Sequence, residues 1–349
     1  MNEERVRQIV RQFQENALKQ VLTSPGNLRE LLMVAKAAVL PRLEFAGMTV
    51  EPTTFVTAEY RHVSSDLVLT LTLLPSRKSG RKRRLTVTIL IELQTQPDRL
   101  MLLRVLDYLV QIWKQQVKRH GERHKSLANV QLTPVLPVVL HTGSYSWEKL
   151  GRLVDLMDDA EDLAPVTPAF EPVFVSLPNV SEAELEQRGG SFGQVLALLK
   201  MRKARREQFA RRLEQTVAKL GELKGTERLR RLELLSYVEG LVYHAREAQE
   251  HKTLRERIDA VLRDDEARLE VDMVRRSMAD VHRDEISREV MLAERKRTLL
   301  RLLGLRWGSL PAETKQVIEA TQDANQLEEW LGLVITADNL DAVGIAPPD

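Results

Sequence analysis

The chain has 349 residues, 43% of them hydrophobic and 29% charged, with a formal net charge of +2. That length supports a full hydrophobic core in about two or three structural units, and so balanced a charge excludes a strong whole-molecule field toward nucleic acid or membrane. The absence of cysteine excludes disulfides, thiolate zinc sites and cysteine nucleophiles; with no long apolar run and a charged start, MNEERVRQIVRQFQEN, no membrane span or signal peptide is expected and the cytoplasm is the expected compartment.

Residues 5–38 read as helix, broken at TSPGN, with Asn27 as the N-cap of a second helix NLRELLMVAKAAVL. Residues 43–60 read as strand and turn, interrupted at Pro52. SDLVLTLTLL (65–74) alternates Leu or Val with Thr, which is the period of a strand. The turn RKSGRKRR follows, and then a second strand, LTVTILIELQ (85–94). A turn at Ser79-Gly80 makes the two strands a hairpin. Asp66 and Glu92 are equidistant from Ser79, so a loop of Lys78 to Gly80 places them directly opposite one another. Glu92 and Gln94 share a face, and Leu93 points the other way.

A helix is expected from Pro97 to about Arg119. Its core stripe is read as Leu100, Leu103, Leu106, Val110 and Val117, with Arg104, Tyr108, Gln111 and Gln115 on another face. PVLPVVLHTG (134–143) reads as a short buried strand, WEKLGRLVDLMDD as helix, and EPVFVSLP (171–178) as a further strand. From Ser191 onward the pattern is helical. Residues 201–300 are rich in Arg, Glu and Leu, and the final fifty residues form short amphipathic segments. The resulting division is 1–200, 201–295 and 296–349.

Two carboxylates at the ends of paired strands are oxygen donors suited to a hard divalent cation. Such an ion activates water and neutralises phosphoryl charge. Equally, Asp66 suits a turn cap and Glu92 a sheet edge; the spacing alone does not choose between these roles. Arg104 and Tyr108, at i and i+4, meet on one helix face, either to bind a phosphate or to pair and pack internally. RKSGRKRR (77–84) holds six basic residues in eight, and MRKARREQFARR (201–212) is also basic; both suit solvated surfaces. His120 and His124 do not make the HExxH zinc pattern, since the Glu is displaced. RGGSFG (188–193) reads as a helix-start turn, and His141 as a structural turn residue.

The series YRHVSSDLVLTL, IELQTQPDRLMLLRVLDYLVQIW and LTPVLPVVLHTG, with Trp147, resembles the Rpn family of recombination-promoting nucleases, also described as YhgA-like putative transposases, within the PD-(D/E)XK nuclease superfamily. The resemblance spans about residues 15–200. The C-terminal fifty residues resemble a small helical module often fused to this family. The resemblance implies an α/β, restriction-endonuclease-like αβββαβ core with a mixed sheet, followed by a helical C-terminal region. It implies Mg²⁺ held by Asp66, Glu92 and the Leu93 carbonyl, hydrolysis of DNA phosphodiesters with Gln94 in the catalytic set, and Arg104 and Tyr108 on the substrate side. It also suggests Glu30 as an additional acid from the first helices. Gln94 stands where most of the superfamily has Lys and so supplies hydrogen bonds without charge. Leu93 replaces a frequent His, and its side chain points away from the site. The reading is a metal-dependent DNA endonuclease linked to recombination or mobile DNA; the alternative is a catalytically weak DNA-binding or assembly protein that retains the fold. DNA is the expected partner, no membrane is involved, and the mixed charges of the helical C-terminal region suit partner contact or self-association.

Overall fold

The computed structural model describes residues 13–51, 54–56, 62–64, 66–75, 85–158 and 161–345. Pro52 and the basic turn RKSGRKRR lie outside the described residues. The chain forms two compact units, Met1–Arg275 and Arg276–Asp349.

Helices α1 (Phe13–Leu22) and α2 (Pro25–Val34) open the first unit. Ser24 takes the N-cap position of α2 and Pro25 its first turn. Asn27 is therefore not the cap. It is buried inside the helix, donates to the Val21 carbonyl at 2.8 Å and accepts from Arg230 Nε at 2.7 Å. The helix also stops earlier than its apolar pattern suggests. Lys36 turns left-handed at φ +53°, and the Ala37 N–H closes back on the Leu32 carbonyl at 3.0 Å, satisfying the last turn.

Strands β1 (Leu43–Glu51), β4 (Leu67–Leu73), β5 (Leu85–Gln94), β6 (Val135–His141) and β7 (Val173–Ser176) form a mixed sheet in that order. β1, β4 and β5 pair antiparallel, whereas β5, β6 and β7 pair parallel. β2 (Thr54–Val56) and β3 (His62–Ser64) form a separate short pair. This is an α/β fold followed by a helical C-terminal region, as the sequence pattern suggests.

Alternation along the central strands feeds two cores. Leu67, Leu69, Leu71, Val87, Ile89 and Ile91 enter the larger one. Val68 and Leu90 face the opposite way and meet α3 (Met101–His124), the crossover that parallel pairing of β5 with β6 requires. The covering stripe of α3 is Met101, Leu102, Val105, Tyr108, Leu109 and Ile112. The expected stripe is therefore misplaced, for Leu100 and Leu103 are exposed. The helix begins four residues later than Pro97, after an Asp98 turn in which Oδ1 accepts the Leu100 N–H at 2.8 Å. The expected helix over WEKLGRLVDLMDD does not form either. Gly151 sits at φ +80°, a conformation that interrupts a helix, and only a 3₁₀ turn, Leu153–Leu156, follows.

Helices α4 (Glu182–Arg188), α5 (Gly190–Lys200), α6 (Arg206–Gly221), α7 (Arg228–Ala245) and α8 (Ala248–Val261) complete the first unit. Phe209, Leu213, Leu234 and Val238 lie in the same core as Leu69 and Ile89, so that core continues past residue 200. The long α9 (Asp265–Trp307) follows. In the second unit Leu299, Leu303, Ile318, Leu327 and Trp330 form a core of their own with α10 (Ala312–Ala320) and α11 (Ala324–Thr336). Asp323 caps α11 by accepting the Asn325 N–H at 2.8 Å. Among the described residues no helix is long and apolar enough to cross a membrane.

Candidate active site

The register of β4 with β5 places Leu67 opposite Ile91 and Val68 opposite Leu90. One step beyond Leu67, Asp66 faces Glu92. The pair shares the α3 side of the sheet with Val68 and Leu90, and Gln94 follows on that side.

The two acids are joined through backbone as well as by proximity. The Asp66 N–H donates to Glu92 Oε1 at 3.2 Å, and the Leu93 N–H donates to Asp66 Oδ2 at 2.7 Å. The Leu93 side chain packs toward the larger core. Because the N–H and C=O of one strand residue point the same way, the Leu93 carbonyl also lies on the Asp66 side of β5.

Cations reach the pair from two helices. Lys19 of α1 contacts Asp66 Oδ1 at 2.8 Å. Arg104 of α3 contacts Glu92 Oε2 at 3.4 Å and Asp98 Oδ2 at 3.0 Å, and its guanidinium hydrogen-bonds the Tyr108 hydroxyl. Asp98 thus aims Arg104 across the mouth of the site. Burial works against the Arg104 charge, but the hydrogen bonds to Tyr108 and Asp98, with the field of Glu92, hold it above its ordinary range. Burial and then the Glu92 charge push the Tyr108 hydroxyl up.

Glu92 is 1% exposed. Burial, and next the like charge of Asp66, push its carboxyl up to about 7. The Asp66 N–H, Arg104 and Lys19 pull the other way and do not balance it. A buried carboxylate short of counter-charge, beside a second carboxylate and a strand carbonyl, is a hard-oxygen donor set. These donors fit Mg²⁺ in chemistry. Among the described residues no three Asp, Glu or His side chains converge, so further ligands would be the Leu93 carbonyl and water.

Gln94 accepts the Thr142 N–H at its backbone carbonyl, at 2.8 Å; its side-chain amide makes no hydrogen bond among the described residues. Across the ladder from it, His141 is fully buried, with Nε2 on the Tyr145 carbonyl at 2.8 Å, and its ring meets the edge of Trp147.

Glu30 is not part of this group. Its carboxylate accepts the Phe192 N–H at 2.8 Å and pairs with Arg230, capping the start of α5. Gly190, at φ +52°, brings the chain close to that carboxylate and begins α5, which makes RGGSFG a helix start. Lys19 and Asp98 were not legible as site residues. Lys19 is one polar position on an N-terminal helix, and Asp98 reads as an ordinary helix-start residue; only packing brings either to the acids.

The fold and site together define a mixed α/β protein with a buried carboxylate pair at the ends of adjacent central strands, covered by a crossover helix. The chain belongs to the family described as putative transposase, YhgA-like, whose model matches residues 14–231. No curated protein and no solved structure matches it.

Proposed function

We propose that the protein is a Mg²⁺-dependent DNA endonuclease of the PD-(D/E)XK type. The observation that carries this reading is the Asp66–Glu92 pair, one acid buried and under-compensated, with Arg104 held beside it. Asp66, Glu92 and the Leu93 carbonyl would hold Mg²⁺, which when bound supplies an activated water and neutralises phosphoryl charge. Arg104, steered by Asp98 and Tyr108, binds a non-bridging phosphate oxygen of the DNA. Gln94 donates its free amide hydrogens to the phosphate or to the attacking water. The buried His141–Trp147 contact backs the strand end that carries Gln94.

The test is cleavage of supercoiled plasmid by the full chain with Mg²⁺, against Glu92→Gln and Asp66→Asn. The expected result is cleavage by the wild type and loss of about 10²-fold or more in both variants. Equal residual cleavage in all three proteins would sink the reading. A second reading is a protein that binds DNA without cutting it, favoured by the uncharged Gln94 and by Lys19 already neutralising Asp66. It predicts plasmid binding with no Mg²⁺-dependent product in any of the three.

A further inference from the structure

On the α3 face of the sheet, beyond Val68 and Leu90, the packing changes character. The strand positions that would continue the second core are threonines: Thr70 on β4, Thr86 and Thr88 on β5. The helix changes in step. Past Ile112 its sheet-facing side presents Gln115, Arg119 and, one turn on, Arg123. Hydroxyls and guanidiniums do not close over one another as leucines do, and a groove of about 320 Å³ is left between helix and sheet. Arg119 and Arg123 are exposed, and neither has an ion-pair partner among the described residues. Among the described residues the only acid in the lining is Glu51, whose carboxylate accepts the Thr49 hydroxyl at 3.4 Å.

The groove shares its sheet face with the carboxylate pair. Thr88 precedes Glu92 by two same-face steps on β5, roughly 13 Å at the strand rise. At about 3.4 Å per nucleotide along a duplex axis, this near edge is about four nucleotides from a phosphate held at the pair. Arg119 and Arg123, which follow Arg104 by 15 and 19 residues on α3, are about seven and eight nucleotides from it at the helix rise. Two guanidiniums with no ion-pair partner among the described residues, over a row of hydroxyl donors, suit a ligand that repeats anionic oxygens along its length.

We propose that this groove binds the phosphate backbone of duplex DNA flanking the Asp66–Glu92 site, with Arg119 and Arg123 each neutralising one phosphate. The identity of the occupant rests on the nuclease reading, whereas the contact can be measured without cleavage.

The experiment is fluorescence anisotropy of a short labelled DNA duplex with the full chain in EDTA, over a series of KCl concentrations. Arg119→Ala/Arg123→Ala should weaken binding about tenfold or more, and make the slope of log K against log salt shallower by about 1.8, as loss of two phosphate contacts predicts. Arg119→Lys/Arg123→Lys should keep most of the slope. Arg188→Ala/Arg211→Ala removes the same charge from exposed positions elsewhere and should leave the slope unchanged. All binding is read in EDTA, where no metal-dependent cleavage takes place, so failure of cleavage and failure of the groove are read separately. An unchanged slope in Arg119→Ala/Arg123→Ala, an equal loss in Arg188→Ala/Arg211→Ala, or binding of RNA but not DNA duplex overturns the proposal.

Discussion

Asp66 and Glu92 hold each other through the chain: the amide of Asp66 donates to Glu92 Oε1 at 3.2 Å, while its carboxylate takes the amide next to Glu92, that of Leu93, at 2.7 Å. Two like charges are thereby fixed at close range by bonds that folding itself makes. The strain of that arrangement falls on the more buried partner, Glu92.

Stability should therefore depend on pH through Glu92. The folded chain keeps its proton to about pH 7, whereas the unfolded chain releases it near 4.5. The folded state binds the extra proton in that window, so the contribution of Glu92 to stability is full below 4.5, is lost as pH rises toward 7 and is flat above it. The full loss is about 3 kcal/mol. Urea melts in EDTA should show this fall in the wild type and not in Glu92→Gln, which should be the more stable protein above pH 7. Parallel pH profiles for the two would contradict it.

Lys19 lowers the cost of ionising Glu92 from across Asp66. Lys19→Met should push the Glu92 carboxyl still higher, read directly as a shifted carboxyl resonance in a ¹³C titration. No movement would mean that the Lys19–Asp66 contact is not kept in solution.

If the protein is the endonuclease proposed above, Arg104→Ala should slow single-turnover cleavage at saturating DNA by about 10²-fold, because its guanidinium would face the charge that develops at the phosphate. Asp98→Ala frees Arg104 without removing it, so a smaller loss is expected, in rate more than in affinity. A loss in Asp98→Ala as large as in Arg104→Ala would show that the α3 start itself has moved.

Arg231 is completely buried and bonds Glu270 in two-pronged fashion at 2.7 and 3.0 Å. Glu270→Ala leaves that charge to the more exposed Glu266 and Asp264. A cost of about 3 kcal/mol is expected in urea melts. The double change Arg231→Met/Glu270→Met should recover most of it.

A chain ending at Lys200 should not fold. It lacks Phe209, Leu213, Leu234 and Val238 from the core shared with the sheet, and it lacks Arg230, the partner of Glu30 and Asn27. Aggregation, or a molten far-UV signal without a cooperative melt, is the expected outcome. A cooperative melt from that fragment would show that the sheet and its first helices are sufficient.

The sequence by itself determined the strand pair, and narrowed its register to one that a turn centred on Ser79 selects. Alternation of Leu with Thr is a local property, and a one-residue slip would turn the leucines of β4 from the larger core to the α3 face, so once a turn centred on Ser79 is assumed the facing of Asp66 and Glu92 follows from distance along the chain. Tertiary structure decided what surrounds that pair. Several faces of α3 carry apolar residues, and contact with the sheet selected Met101, Val105 and Tyr108 over Leu100 and Leu103. Glu30 and Lys19 are both charged residues on the N-terminal helices, yet the open N-terminus of α5 and Arg230 took the first while Asp66 took the second. Such choices depend on which distant groups reach each side chain, and burial makes the choice binding, because a charge removed from water must take a partner wherever packing supplies one.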